Sequence, residues 1–278
     1  MVVAGGVLIL AWYVLRVLGL WWGRAAAMVR RLSPWTRRMH AWVLSAPATF
    51  CYVAIFTAST LVQVAAPPSL IRVLTTLEST NLANLSRAEL HVLLDSALWV
   101  ADKGEGLGLY ILVFVTVVAW GEQRHGTPRI IVIGLTGHVL GSLLTALLET
   151  EALESGRAPA RLAVSTDVGV SYMMVAGCAA AVLLMRGRWL TAGVSALAVG
   201  VLGPLVWSRS LWDLGHLLAT LCGLAAAWVM LLVVPPRAAP DLVGCLPRPR
   251  WRRGAPGMDA GTGAGAGGRL GEPGEPGE

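Results

Sequence analysis

Residues 211–234 read LWDLGHLLATLCGLAAAWVMLLVV, an apolar run in which Asp213 and His216 are the only acidic or basic side chains. A helix of about 20 apolar residues, rising 1.5 Å per residue, crosses a hydrocarbon core roughly 30 Å thick. Pro235 and Pro236 follow directly and end the helix, because proline lacks the N–H that the next turn needs. Runs of the same quality occur upstream at about 40–65, 107–121, 129–148, 166–186 and 189–207. Only 14% of the 278 residues are charged, where a soluble domain carries about 25%. Closed barrels also span membranes, but they need short alternating strands, and these runs are continuous. The sequence predicts an all-α polytopic membrane protein with six core helices.

Outside the core, residues 2–22 are apolar with Arg16 in the middle and lack the basic start and small-residue cleavage site of a signal peptide. They predict an extra N-terminal helix, spanning or interfacial, followed by a basic loop over 24–38. From Pro235 the composition turns to Pro, Arg, Gly and Ala and ends in Gly-Glu-Pro repeats, which cannot bury a core and predict disorder. The expected organisation is 1–38 (helix and basic cytoplasmic loop), 39–236 (membrane domain) and 237–278 (cytoplasmic tail).

The net charge of +6 does not call for nucleic acid, since the basic residues punctuate the ends of apolar runs. Of the 22 basic residues, fifteen fall at 24–38, 122–129, 186–188 and in the tail, against six on the opposite side. That bias predicts a multi-pass protein with its tail in the cytoplasm, and a bacterial plasma membrane is the expected setting. Cys51, Cys178, Cys222 and Cys245 show no metal-ligand spacing and read as free thiols. No metal or organic cofactor is expected.

Two polar residues stand at matching depths in this apolar frame. Ser171 follows Gly169 and Val170 at the start of one run, and His216 opens another 45 residues later. Counted from Arg186 and Pro235, their heights are about 22 Å and about 28 Å, a difference that ordinary helix tilt absorbs. A serine hydroxyl becomes a nucleophile when an adjacent imidazole takes its proton, and a helix N-terminus supplies N–H donors to an oxyanion. The small residues Gly215, Ala219 and Gly223, spaced by four, give the His216 helix a smooth face for close approach to Ala176, Gly177, Ala179 and Ala180. Against this, a membrane serine commonly bonds to its own backbone, and a lone intramembrane histidine can be a packing residue.

Gly169-Val170-Ser171 on the fourth core helix and Gly215-His216-Leu217-Leu218-Ala219 on the sixth resemble the motifs of the rhomboid family of intramembrane serine proteases. Glu122, Gly126 and Arg129 match the pattern at the end of that family's second helix. The likeness covers roughly residues 40–235 and is greatest to the divergent bacterial rhomboid-like group. It implies a six-helix rhomboid-like bundle with Ser171 as nucleophile and His216 as base, acting on membrane-spanning protein substrates. Two departures stand out. Tyr172 replaces the glycine after the nucleophile, and Gly106 and Tyr110 occupy the positions where the family carries His and Asn donors to the oxyanion. The resemblance therefore also admits an inactive relative that binds membrane clients.

Other polar residues keep two readings each. Asp213 either orients His216 or forms a capping box with Ser210, the cap being preferred. Asp167 reads as a helix-entry acid. His138, Ser142, Thr145 and Glu149 share one face of the third core helix, either as a hydrogen-bonded seam or as a polar path in which His138 supports the oxyanion. The amphipathic run Arg87–Val100 is expected at the interface, and the Asn84-Leu85-Ser86 sequon is a weak three-residue match. Arg248, Arg250, Arg252 and Arg253 around Trp251 form a basic cluster suited to anionic lipid.

Overall fold

Proline and glycine set the helix boundaries. The computed structural model describes residues 2–77, 79, 80, 82–100, 104–157, 159, 168–208 and 210–238. Among them are ten helices and no strand: α1 (Val2–Leu18), α2 (Gly23–Ser45), α3 (Pro47–Ala65), α4 (Pro68–Leu77), α5 (Leu82–Ser96), α6 (Leu107–His125), α7 (Thr127–Glu154), α8 (Val170–Leu183), α9 (Arg188–Ser208) and α10 (Leu211–Val233). α3, α6, α7, α9 and α10 are each long and apolar enough to cross a membrane. α8 has 14 residues and covers only about 21 Å. With it, the six core helices expected from the sequence are present, and the chain is a multi-pass membrane protein.

Two boundaries differ from the sequence reading. The basic stretch 24–38 is not a loop; it lies inside α2, because Ala25, Ala26, Ala27, Met28 and Leu32 are good helix formers and arginine is no worse. The first core helix begins at Pro47 rather than near 40. Ala46 takes φ −137°, ψ 58°, since a residue before proline is pushed out of the helical region. The Arg87–Val100 run is helical only through Ser96, and the 237–278 tail lies outside the described residues beyond Ala238.

Close approach of small residues holds the centre. A methyl on Gly223 of α10 would lie 2.6 Å from Ala176 Cα of α8, and one on Gly141 of α7 would lie 2.9 Å from Ala219 Cα of α10. Gly137 of α7 likewise abuts Ala176 and the Ala219 carbonyl. Without a hydrophobic drive between helices in lipid, such backbone proximity maximises dispersion contacts. Beside this trio, Tyr52 and Phe56 of α3 meet Phe114 of α6 with ring centroids 5.2–5.4 Å apart.

One carboxylate ties three helix ends together. Glu122, buried near the end of α6, accepts from the N–H groups of Ala48 (3.0 Å) and Thr49 (2.8 Å) at the start of α3 and from Thr127 Oγ1 (2.7 Å) at the start of α7. It satisfies orphan donors and places negative charge at a helix N-terminus. Gly126, at φ 90°, turns the chain between α6 and α7 in a conformation that favours glycine. Arg129 then reaches the Val234 carbonyl (3.1 Å), and the Arg237 N–H donates to the Arg124 carbonyl (2.7 Å), strapping the chain after α10 across that turn.

Midway along α6, residues Phe114–Val118 form a π-helical turn. Such a turn leaves a carbonyl without its usual partner, and Trp42 Nε1 of α2 donates to the Val115 carbonyl at 2.8 Å.

Candidate active site at the mouths of two helices

Ser171 is the second residue of α8 and half-buried. Its hydroxyl makes no hydrogen bond with the described residues, whereas Thr145 and Thr220 on the adjoining helices donate back to the Gly141 and His216 carbonyls at 2.7 Å. The difference is positional: at the start of a helix no preceding turn offers a carbonyl four residues back. α8 has no side-chain cap, so the N–H groups of Val170 and Ser171 point out of its first turn with no side-chain acceptor from its N-cap residue. At about 21 Å, α8 is shorter than a hydrocarbon core of roughly 30 Å.

Gly169, the residue before α8, has φ −94° and so needs no left-handed backbone. Its requirement is steric: the His138 ring of α7 lies where a side chain at Gly169 would be. The Gly169 N–H donates to the Ser96 carbonyl at 2.9 Å, so α5 helps to fix the mouth of α8.

His138 is fully buried. Its Nε2 lies 2.7 Å from the Leu93 carbonyl and 3.3 Å from Ser96 Oγ. A carbonyl only accepts, so Nε2 carries the proton, and Nδ1 of the neutral ring is left as an acceptor. Nδ1 has no partner, but in this tautomer it has no hydrogen to offer an oxyanion. The support that the sequence suggested from His138 is therefore steric and structural.

His216 lies in the second turn of α10 and is half-buried. Its ring hydrogen-bonds back to the Trp212 carbonyl one turn earlier, and the Asp213 carboxylate acts on it through its charge. Asp213 is committed elsewhere: its N–H donates to Ser210 Oγ (3.2 Å), and its Oδ2 accepts from Ser210 Oγ (2.5 Å) and from the Ser208 hydroxyl. Ser210 thus caps α10 as in the first half of a capping box, while the Asp213 carboxylate takes the Ser210 hydroxyl instead of its backbone N–H.

Tyr172 occupies the centre. It is fully buried, its ring edge-on to His216 at 5.1 Å and 78° and to His138 at 6.2 Å and 62°. Its hydroxyl sits against Gly215, where no larger residue fits. The structure thus brings Gly169, His138, Tyr172, Gly215 and His216 together, and sets Ser171 beside them without a hydrogen bond to His216. Sequence reading did not find Leu93 and Ser96, the residues that fix His138. Nothing local marks them, since they act through backbone carbonyls and a serine in an unremarkable helix.

A short fourth core helix opening on Gly-x-Ser, a sixth opening on Gly-His, and a glutamate lock at the end of the second define a rhomboid-like membrane protein. The family model for rhomboid-like proteins matches residues 41–232, and the chain belongs to that family. No curated protein and no solved structure matches it.

Proposed function

We propose that this chain is a rhomboid-like intramembrane serine protease that cuts membrane-spanning protein segments with Ser171 and His216. The observation that carries the proposal is that the Ser171 hydroxyl is uncommitted among the described residues, at a helix mouth beside the one that carries His216. The His216 ring donates to the Trp212 carbonyl, which leaves its other nitrogen as the base, and the two helices are pressed together through Ala176 and Gly223. A side chain serving only to pack or to cap would be expected to spend its polar atoms. Rotation of Ser171 toward His216 forms the dyad when substrate arrives, since hydrogen bonds at resting sites tighten on binding.

In the reaction, Ser171 Oγ attacks the scissile carbonyl carbon as His216 takes its proton. The N–H groups of Val170 and Ser171 face the oxygen as it becomes negative. The C–N bond then breaks with His216 returning the proton to the departing amine, and water hydrolyses the acyl-enzyme through the same base. One missing oxyanion donor costs about 10²–10³ in rate, so the replacement of the family's His and Asn by Gly106 and Tyr110 predicts a slow enzyme. The substrate meets the site in a bacterial plasma membrane, with the protein's tail on the cytoplasmic side.

A second reading is favoured by one specific observation: Tyr172 fills the space beside His216. On that reading the protein binds membrane clients and cuts none. Labelling of detergent-purified protein with a fluorophosphonate separates the two. Protease chemistry requires labelling that disappears in both Ser171→Ala and His216→Ala, each folded as well as the parent. Absence of labelling in folded wild-type protein selects the client-binding reading.

A further inference from the structure

Away from the Ser171 site, α9 packs on α8 and α10, while α6 packs on α3, α7 and α8. The gap between α6 and α9 ends in a cavity of about 850 Å³ at the helix termini nearest Arg186. Trp42, Trp120 and Trp189 line it, together with the apolar Val115 and Val117 and two cations, Arg124 and Arg186.

The two arginines lack counter-ions. Among the described residues no salt bridge involves either, and the buried Nε of Arg124 has no partner. The acid on the same helix, Glu122, has both oxygens engaged at the start of α3. Arg188 holds its guanidinium 5.5 Å from the Trp189 ring centre, which leaves Arg124 and Arg186 as the uncommitted pair. Guanidinium groups match phosphate oxygens in geometry and charge. Tryptophans favour the headgroup depth of a bilayer, and Val115 and Val117 lie about two turns of α6 before Arg124.

We propose that this cavity binds the phosphodiester headgroup of an anionic phospholipid, held by Arg124 and Arg186, with an acyl chain lying along Val115 and Val117 between α6 and α9. A soluble phosphate satisfies the arginines but leaves the indole and valine walls unfilled, so the lipid is the better fit.

The test uses the full chain in neutral detergent, titrated with phosphatidylglycerol, with phosphatidylcholine, or with inorganic phosphate, while thermal unfolding is followed. Stabilisation by phosphatidylglycerol alone is expected. Loss of one arginine is expected to weaken apparent affinity for that lipid about fivefold, from roughly 1 kcal/mol per charge. Arg186→Gln, in an exposed turn, keeps the test usable should Arg124→Gln fail to fold. Arg157→Gln, in the α7–α8 connection, is expected to leave the lipid response intact. Quenching of tryptophan fluorescence by brominated phosphatidylglycerol should fall in Trp120→Phe. Equal stabilisation by phosphatidylcholine or inorganic phosphate, or a response unchanged in Arg186→Gln, would overturn the proposal.

Discussion

Where α7, α8 and α10 meet, a methyl added at Gly137, Gly141 or Gly223 would lie 2.3–2.9 Å from neighbouring backbone or Ala side chains. On α9, Gly200 and Gly203 have nothing within 4 Å. Both regions are helices of similar apolar composition, and both carry glycines. The difference lies in what the glycine is for. In the trio it lets backbones touch and so fixes the relative height of Ser171, Tyr172 and His216. On α9 it leaves a helix that is nearly all exposed and that borders the cavity above Arg124. The family fold thus joins a closely set site to a loosely held flank.

The widest break in this comparison should come from Gly137→Leu. Its side chain must displace Ala176 and the Ala219 carbonyl, and a loss of more than about 3 kcal/mol is expected in reversible unfolding from detergent. Tyr172→Ala should cost about 3 kcal/mol by leaving a cavity. Under the protease reading it should nonetheless raise the rate of fluorophosphonate labelling, since it frees the space beside His216; a lower rate in folded protein would count against that reading. Glu122→Ala leaves the Ala48 and Thr49 donors buried and unpaired, and about 2–3 kcal/mol is expected. Trp42→Phe removes only the hydrogen bond to the Val115 carbonyl and should cost about 1 kcal/mol. The smallest effect belongs to Gly200→Leu on α9. Leucine is the better helix former, so no loss is expected, and one above about 1 kcal/mol would show that α9 is held more tightly than its surroundings suggest.

Much of the architecture was legible because lipid leaves few options: long apolar runs must be helices. The opening residues of α8 and α10, carrying Ser171 and His216, were legible for the same reason. The break at Ala46 was also written in the sequence, in Pro47, but hydropathy alone runs straight through it. The helical state of Arg24–Arg38 was hidden by charge, which reports where a segment sits and not what shape it takes. The role of Glu122 was not legible, because its partners are backbone N–H groups some 73 residues away. Nor was the direction of Tyr172: position in a helix fixes the face, and only the neighbours decide that the ring lies between His138 and His216. The same holds for Gly169, whose need for a bare Cα comes from the His138 ring rather than from the turn it makes.

The strap after α10 carries a consequence for the chain beyond it. Arg237 is pinned to the Arg124 carbonyl, with its guanidinium against Gly126, so the following segment starts from a fixed anchor point instead of swinging from the end of α10. From Arg237 to Arg248 is a tether of eleven residues, no more than about 40 Å even when fully drawn out. The arginines around Trp251 are therefore leashed to the corner of the molecule that holds Arg124. With a leash that short, any membrane contact those arginines make acts at an effective concentration in the millimolar range.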